Sequence, residues 1–220
     1  MKKFKPTIIE QNVFKQTVLD DIVQHVRKIG KKMDYVNDWE GPAKGKLLAE
    51  RYFWSWKDHP NISDRIAQSL NSDIMEPAIV EHSFVLDSYY PYEIHCDAGW
   101  LDLKEGGTFE PWYLAIIPIT PNASKTINFE QCEENAKHFI NYKENNEPLK
   151  EYIDDEYFKQ NLSHCWDHDQ PYLTLEKEFA WNQGSVMYCD MSRYHASSDY
   201  RSNGIDKKTC ITLMMKKKIV

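Results

Sequence analysis

After Pro77 the chain breaks into short runs of β-branched and aromatic residues, and this punctuation constrains the fold more than any other feature. The runs are Ile79-Val80, Ser83 to Leu86, Tyr89-Tyr90, Trp112 to Ile119, Thr126 to Phe129, Phe179 to Trp181, Ser185 to Cys189 and Thr209 to Met215. Clusters of Gly, Pro, Asn and Asp separate them, so they read as strands of a mostly antiparallel sheet.

The residues before Pro77 behave differently. Phe14, Val18, Ile22, Val26 and Ile29 recur at spacings of four, four, four and three, with Gly30 following, which predicts an amphipathic helix with a glycine stop. Residues 31–60 are rich in Trp, Gly and Pro and lack sustained periodicity, and Ser63-Asp64 then precede Ile66 and Leu70 in a shorter helical pattern. Between Glu130 and Tyr172 the pattern turns helical again, with Cys132, Ala136, Phe139 and Ile140 and then an acidic segment from Tyr152 to Leu162. There is no Gly-Ser linker, internal repeat or low-complexity tract. Residues 1–220 are therefore expected to form one domain: 1–77 mainly helical support, 78–216 the β core, and an insertion at about 130–172.

Composition narrows the function classes. A length of 220 residues with 13% aromatic and 28% charged residues suits a packed globular unit. The net charge of -7 argues against a large phosphate-neutralising surface, and hence against nucleic acid as partner. Five cysteines, odd in number and without a Cys-x-x-Cys pair, read as reduced thiols of a cytoplasmic protein. No apolar run reaches the ~18 residues of a membrane span, and the N-terminus lacks a signal core. No Gly-rich phosphate loop, Gly-x-Ser-x-Gly elbow or His-Glu-x-x-His is present, so nucleotide-binding and hydrolase readings have no anchor.

The chemistry-bearing residues lie in the β region. His95 and Asp97 flank Cys96, and residues two apart on a strand project from one face, so both can address one ion while Cys96 points away. His195 follows 100 residues later, after the strand-like Gly184-Ser-Val-Met-Tyr-Cys-Asp190 and a short turn. Two imidazoles and one carboxylate form the facial ligand set that holds Fe(II) and leaves the opposite face open.

Together these segments resemble the 2-oxoglutarate and Fe(II)-dependent dioxygenases, a family with a His-x-Asp…His triad on a double-stranded β-helix (a jelly-roll, cupin-like core). The resemblance covers roughly residues 78–216, with the N-terminal helices in the place of the family's helical support. It implies Fe(II) at His95, Asp97 and His195, with 2-oxoglutarate as cosubstrate, O2 as oxidant, and hydroxylation of an unidentified prime substrate as the default reaction. Lys208-Thr-Cys-Ile-Thr-Leu213 is similar to the family's last strand, where a basic residue grips the far carboxylate of 2-oxoglutarate. A buried dianion needs such a cation, and alternation returns Thr212 to the face of Lys208. The usual Arg-x-Ser of that strand is replaced here by Lys208-x-Cys210, and Lys207 and Arg201 compete for the anchor role. The carboxylate of Asp97 argues against a halogenase, which needs that position for chloride.

Two other classes share these residues. A cupin-like metalloprotein with non-oxidative chemistry would use the triad without a buried basic anchor, and a non-catalytic β-sandwich binding protein would never assemble it. His164 and His168, at helical spacing within His164-Cys-Trp-Asp-His-Asp169, suggest a zinc site or, with no partner motif, a polar insertion loop. Trp112, Tyr113 and Trp181 read as sandwich packing in preference to cavity lining, and Arg193 and Tyr194 as either turn residues or substrate contacts.

Overall fold

The computed structural model describes residues 5–36, 44–101, 109–132 and 151–218. Ten strands form two antiparallel sheets among these residues. The strands are β1 (Ile8–Glu10), β2 (Lys31–Val36), β3 (Leu47–Phe53), β4 (Ala78–Ser88), β5 (Phe109–Pro118), β6 (Lys125–Cys132), β7 (Leu175–Ala180), β8 (Val186–Asp190), β9 (Arg193–Ser197) and β10 (Lys208–Lys218). The major sheet runs β1-β8-β5-β10-β4-β3-β2 and the minor sheet β7-β6-β9, and the two face each other as a double-stranded β-helix.

Period-two alternation explains the layers. On β5, Tyr113, Ala115 and Ile117 point to one side of the major sheet, and Leu114 and Ile116 to the other. The first set meets α1 (Gln16–Ile29), whose Leu19, Ile22, Val23 and Val26 form a buried stripe at helical spacing. Two further helices, α2 (Pro60–Ala67) and α3 (Ser72–Met75), add Ile62, Ile66 and Ile74 to this outer layer. The second set meets Phe179 and Trp181 from the minor-sheet side, across the interior of the sandwich. Ile127, Phe129 and Ala196, on the far side of the minor sheet, are covered by Phe158 and Leu162 from α4 (Asp155–Asn161) and the residue that follows it.

Two glycines carry the joins. Gly30 ends α1 with its N–H bonded to Val26 O at 2.7 Å, and a Cβ there would meet that oxygen at 2.6 Å. Gly184 holds a positive φ of 70° before β8 and packs so tightly that a Cβ would lie 2.2 Å from Phe14 O. Among the described residues no helix is long and apolar enough to cross a membrane.

Several local expectations change. Residues 31–60, which lack sustained periodicity, supply β2 and β3, so the N-terminal third, expected to be mainly helical, adds strands to the major sheet beside its helices. Their sequences hid this because β2 is exposed on nearly every residue and so carries no apolar alternation. The second helix starts at Pro60 rather than at Ser63-Asp64. Within 130–172, Glu130 to Cys132 extend β6 and Asp155–Asn161 form α4, while Ala136, Phe139 and Ile140 lie outside the described residues.

Candidate metal centre and its pocket

His95, Asp97 and His195 each offer a ligand atom within 4.8 Å of the others. The Nε2 of His195 is 3.4 Å from one Asp97 oxygen and that of His95 is 4.0 Å from the other. The local backbone differs from expectation: His95 and Asp97 lie in a loop that turns into a 3-10 segment (Ala98–Trp100), not on a ladder strand. What positions His95 is a single bridge to β9. Its N–H bonds to His195 O at 3.0 Å and the His195 N–H bonds back to His95 O at 2.8 Å. Asp97 is fixed by its own N–H to Met191 O at 3.1 Å, in the turn between β8 and β9.

The second ring nitrogens are already engaged. Nδ1 of His95 lies 2.7 Å from Glu93 O, and Nδ1 of His195 lies 3.2 Å from Arg193 O. A carbonyl only accepts, so each Nδ1 carries a proton and Nε2 is the ring nitrogen left to ligate a metal. Burial and the neighbouring His195 push His95 down to about 4, which keeps its ring neutral. Burial opposes charge on His195 and on Asp97 alike, yet their mutual hydrogen bond prevails: His195 is raised and Asp97 is lowered. A divalent cation would displace the proton that His195 Nε2 shares with Asp97, and two Nε2 atoms beside an ionised carboxylate suit such an ion. The sandwich in which the triad never assembles is thereby excluded.

The pocket beside the triad extends between the sheets toward β10. Lys208 is 1% exposed, with Nζ 3.8 Å from the centre of the Trp181 ring, 4.9 Å from that of Tyr200 and 3.3 Å from Ser197 Oγ. Among the described residues no carboxylate pairs with it. Burial lowers its pKa to about 7. Thr212 lies on the same face, buried, with its hydroxyl 3.5 Å from Cys210 Sγ. Both line the cavity that also exposes His95, Asp97 and His195.

The competing cations point elsewhere. Arg201 is exposed and pairs with Asp206 at 3.2 Å, and Lys207 lies outside the cavity, 3.9 Å from Asp87. Arg193 is spent on the backbone oxygens of Phe129 and Lys5. His164 and His168 do not share a helix, since a 3-10 segment begins only at Asp167, and His164 Nε2 is engaged with Tyr92 O at 3.1 Å. Trp112 and Tyr113 pack on the helix-covered side, whereas Trp181 fills both roles weighed for it, packing in the sandwich and walling the cavity. Two cavity residues escaped the sequence reading: Arg51 on β3 and Tyr92 in the loop after β4. The available signal was an arginine at an inward position between Ala49 and Phe53, legible only once β3 is known to be a strand.

No protein-family model matches the chain, and no curated protein matches it in sequence. Solved structures do resemble it. SnoK, a non-heme alpha ketoglutarate dependent carbocyclase from nogalamycin biosynthesis, superposes with a TM-score of 0.63 at 14% identity, over 97% of this chain and 80% of that one. A 2OG-Fe(II) oxygenase family protein from Burkholderia pseudomallei gives 0.54 at 8% identity, over 96% and 85%. HygX from Streptomyces hygroscopicus, with nickel, 2-oxoglutarate and hygromycin B bound, gives 0.52 at 13% identity, over 98% and 84%. The likeness carries the fold, and His95, Asp97 and His195 fit the His-x-Asp…His facial triad within it.

Proposed function

We propose that the protein is an Fe(II)- and 2-oxoglutarate-dependent oxygenase that hydroxylates a prime substrate. One observation carries the reading beyond a generic metal protein: a lysine with no carboxylate partner among the described residues, buried in the same cavity as the triad. A buried ammonium without a counter-charge is costly, and a ligand carboxylate would relieve that cost. A cupin-like metalloprotein with non-oxidative chemistry has no use for such a group. Five cysteines, odd in number and without a Cys-x-x-Cys pair, support a reducing, cytoplasmic setting.

Bound at the triad, Fe(II) supplies the redox chemistry by which O2 and 2-oxoglutarate yield succinate and CO2 while a C–H bond of the prime substrate becomes C–OH. The chain's own residues set the stage. His95 and His195 offer Nε2 and Asp97 one oxygen, while the carbonyls of Glu93 and Arg193 hold the rings in the ligating tautomer. Lys208 and Thr212 hold the distal carboxylate of 2-oxoglutarate, the lysine as point charge and the threonine as hydroxyl donor. Trp181 and Tyr200 wall the lysine from water, which strengthens the contact.

Anaerobic titration with Fe(II) and then 2-oxoglutarate tests the proposal. A metal-to-ligand charge-transfer band is expected in the native protein and absent in His195→Ala. No band in the native protein breaks the reading and returns the triad to non-oxidative metal chemistry.

A further inference from the structure

Arg51 is the cavity's second buried cation, and nothing in the proposed chemistry uses it. It sits at the inward-facing middle of β3, opposite Leu86 of β4, and is 8% exposed. Among the described residues it pairs with no carboxylate, and its buried Nε has no hydrogen-bond partner. Among the described residues its one hydrogen bond runs from Nη2 to the hydroxyl of Tyr92 at 3.3 Å. The guanidinium is otherwise faced by aromatic rings, with Trp100 at 4.7 Å, Tyr35 at 5.0 Å and Phe84 at 5.8 Å. Cation–π contacts soften the burial of a guanidinium but leave its N–H donors unspent.

Position gives the arrangement its meaning. The Tyr92 ring lies 5.5 Å from the His95 ring, so Arg51 and Tyr92 approach the triad from the His95 side. Lys208 approaches from the β10 side, beside Ser197, two residues beyond His195. Trp100 beside Arg51 is 42% exposed and the His95 side chain is 35% exposed, so solvent borders this side of the triad. A molecule entering there meets a planar fork of donors, a neutral phenol and two aromatic faces before it reaches the metal ligands.

We infer that the prime substrate carries a carboxylate that docks on Arg51 and Tyr92, with its body laid against Tyr35 and Trp100. The inference rests on the oxygenase reading of the triad. A guanidinium matches a carboxylate in shape and charge through two parallel N–H···O bonds. A phosphate dianion would bring a second charge that no further cation of this subsite offsets. A phenol is protonated at neutral pH, so the Tyr92 hydroxyl that accepts from Arg51 can itself donate to a carboxylate.

The test uses benzoate, phenylacetate and 3-phenylpropionate, their primary amides, and phenyl phosphate, each titrated calorimetrically into the anaerobic protein with Fe(II) and 2-oxoglutarate. At least one acid is expected to bind saturably and its amide at least tenfold more weakly. Arg51→Met should weaken that acid roughly 10- to 100-fold, the range for a hydrogen-bonded charge contact. Arg51→Lys should recover part of the loss, and Tyr92→Phe should weaken it only a few-fold, which keeps the test alive if Arg51→Met does not fold. The inference is overturned if none of the acids binds, if the amides bind equally well, or if phenyl phosphate binds best. It is also overturned if Arg51→Met loses the 2-oxoglutarate charge-transfer band that Lys208→Met retains, since Arg51 would then serve the cosubstrate. Acid binding through Arg51 in a native protein that gives no band would instead break the oxygenase reading and leave the anion subsite standing.

Discussion

The two faces of β10 bury different things. Toward α1 the strand presents Ile211, Leu213 and Met215, an apolar row within the largest core cluster. Toward the minor sheet it presents Lys208, Cys210, Thr212 and Met214, all buried and half of them polar or charged in kind. Stability and ligand chemistry thus share a strand but not a surface. The outer face stabilises the sheet by about 1.5–3 kcal/mol per fully buried large apolar side chain, and the inner face retains groups that cost stability until a ligand arrives.

Four measurements test that contrast. Leu213→Ala should cost about 3 kcal/mol in chemical denaturation, a cavity-creating loss, while leaving 2-oxoglutarate affinity unchanged. Parallel loss of affinity would mean that the faces are mechanically one. Lys208→Met should do the reverse. It should weaken 2-oxoglutarate roughly 30-fold in the anaerobic titration, about 2 kcal/mol, yet leave the ligand-free protein as stable as before or more so.

The third is a pH profile. Burial lowers Lys208 to about 7 in the fold, against about 10.4 for a free lysine, so from pH 7 to 10 the unfolded chain binds the extra proton. Stability of the ligand-free protein attributable to this group therefore rises with pH across that window and is flat below it. Binding a carboxylate favours the charged form, so 2-oxoglutarate affinity should fall with pH above 7, by up to about tenfold per unit, and Lys208→Arg should abolish the slope. The titratable neighbours do not blur the window: burial pushes the Cys210 thiol up to about 11 and holds the His164 ring below its ordinary value. Smallest is Thr212→Val, expected to weaken 2-oxoglutarate about fivefold, or ~1 kcal/mol, without a stability change of similar size.

What the sequence disclosed follows the same division. The runs 112–119, 185–189 and 209–215 were legible because their strands are buried on both faces, so nearly every residue carries the β signal. Strand β3, Leu-Leu-Ala-Glu-Arg-Tyr-Phe, escaped because its outward face carries Glu50 and its inward face carries Arg51, which erases the alternation that marks a half-buried strand. The triad residues were visible as residue types, but their setting was not. His95 was expected on a strand and stands instead on a single bridge, a pairing across 100 residues that no local pattern records. Arg51 was hidden for the same reason as its strand.

That single bridge has a consequence for divergence. Two histidines that exchange both backbone hydrogen bonds have their Cα atoms held at the roughly 5.5 Å of a hydrogen-bonded antiparallel rung, whatever side chains flank them. The gauge of the ion cradle is thus written in main-chain atoms, which mutation does not alter. Neighbouring positions are free to drift, loops to lengthen and pocket walls to be rebuilt for new substrates, so long as one rung is kept.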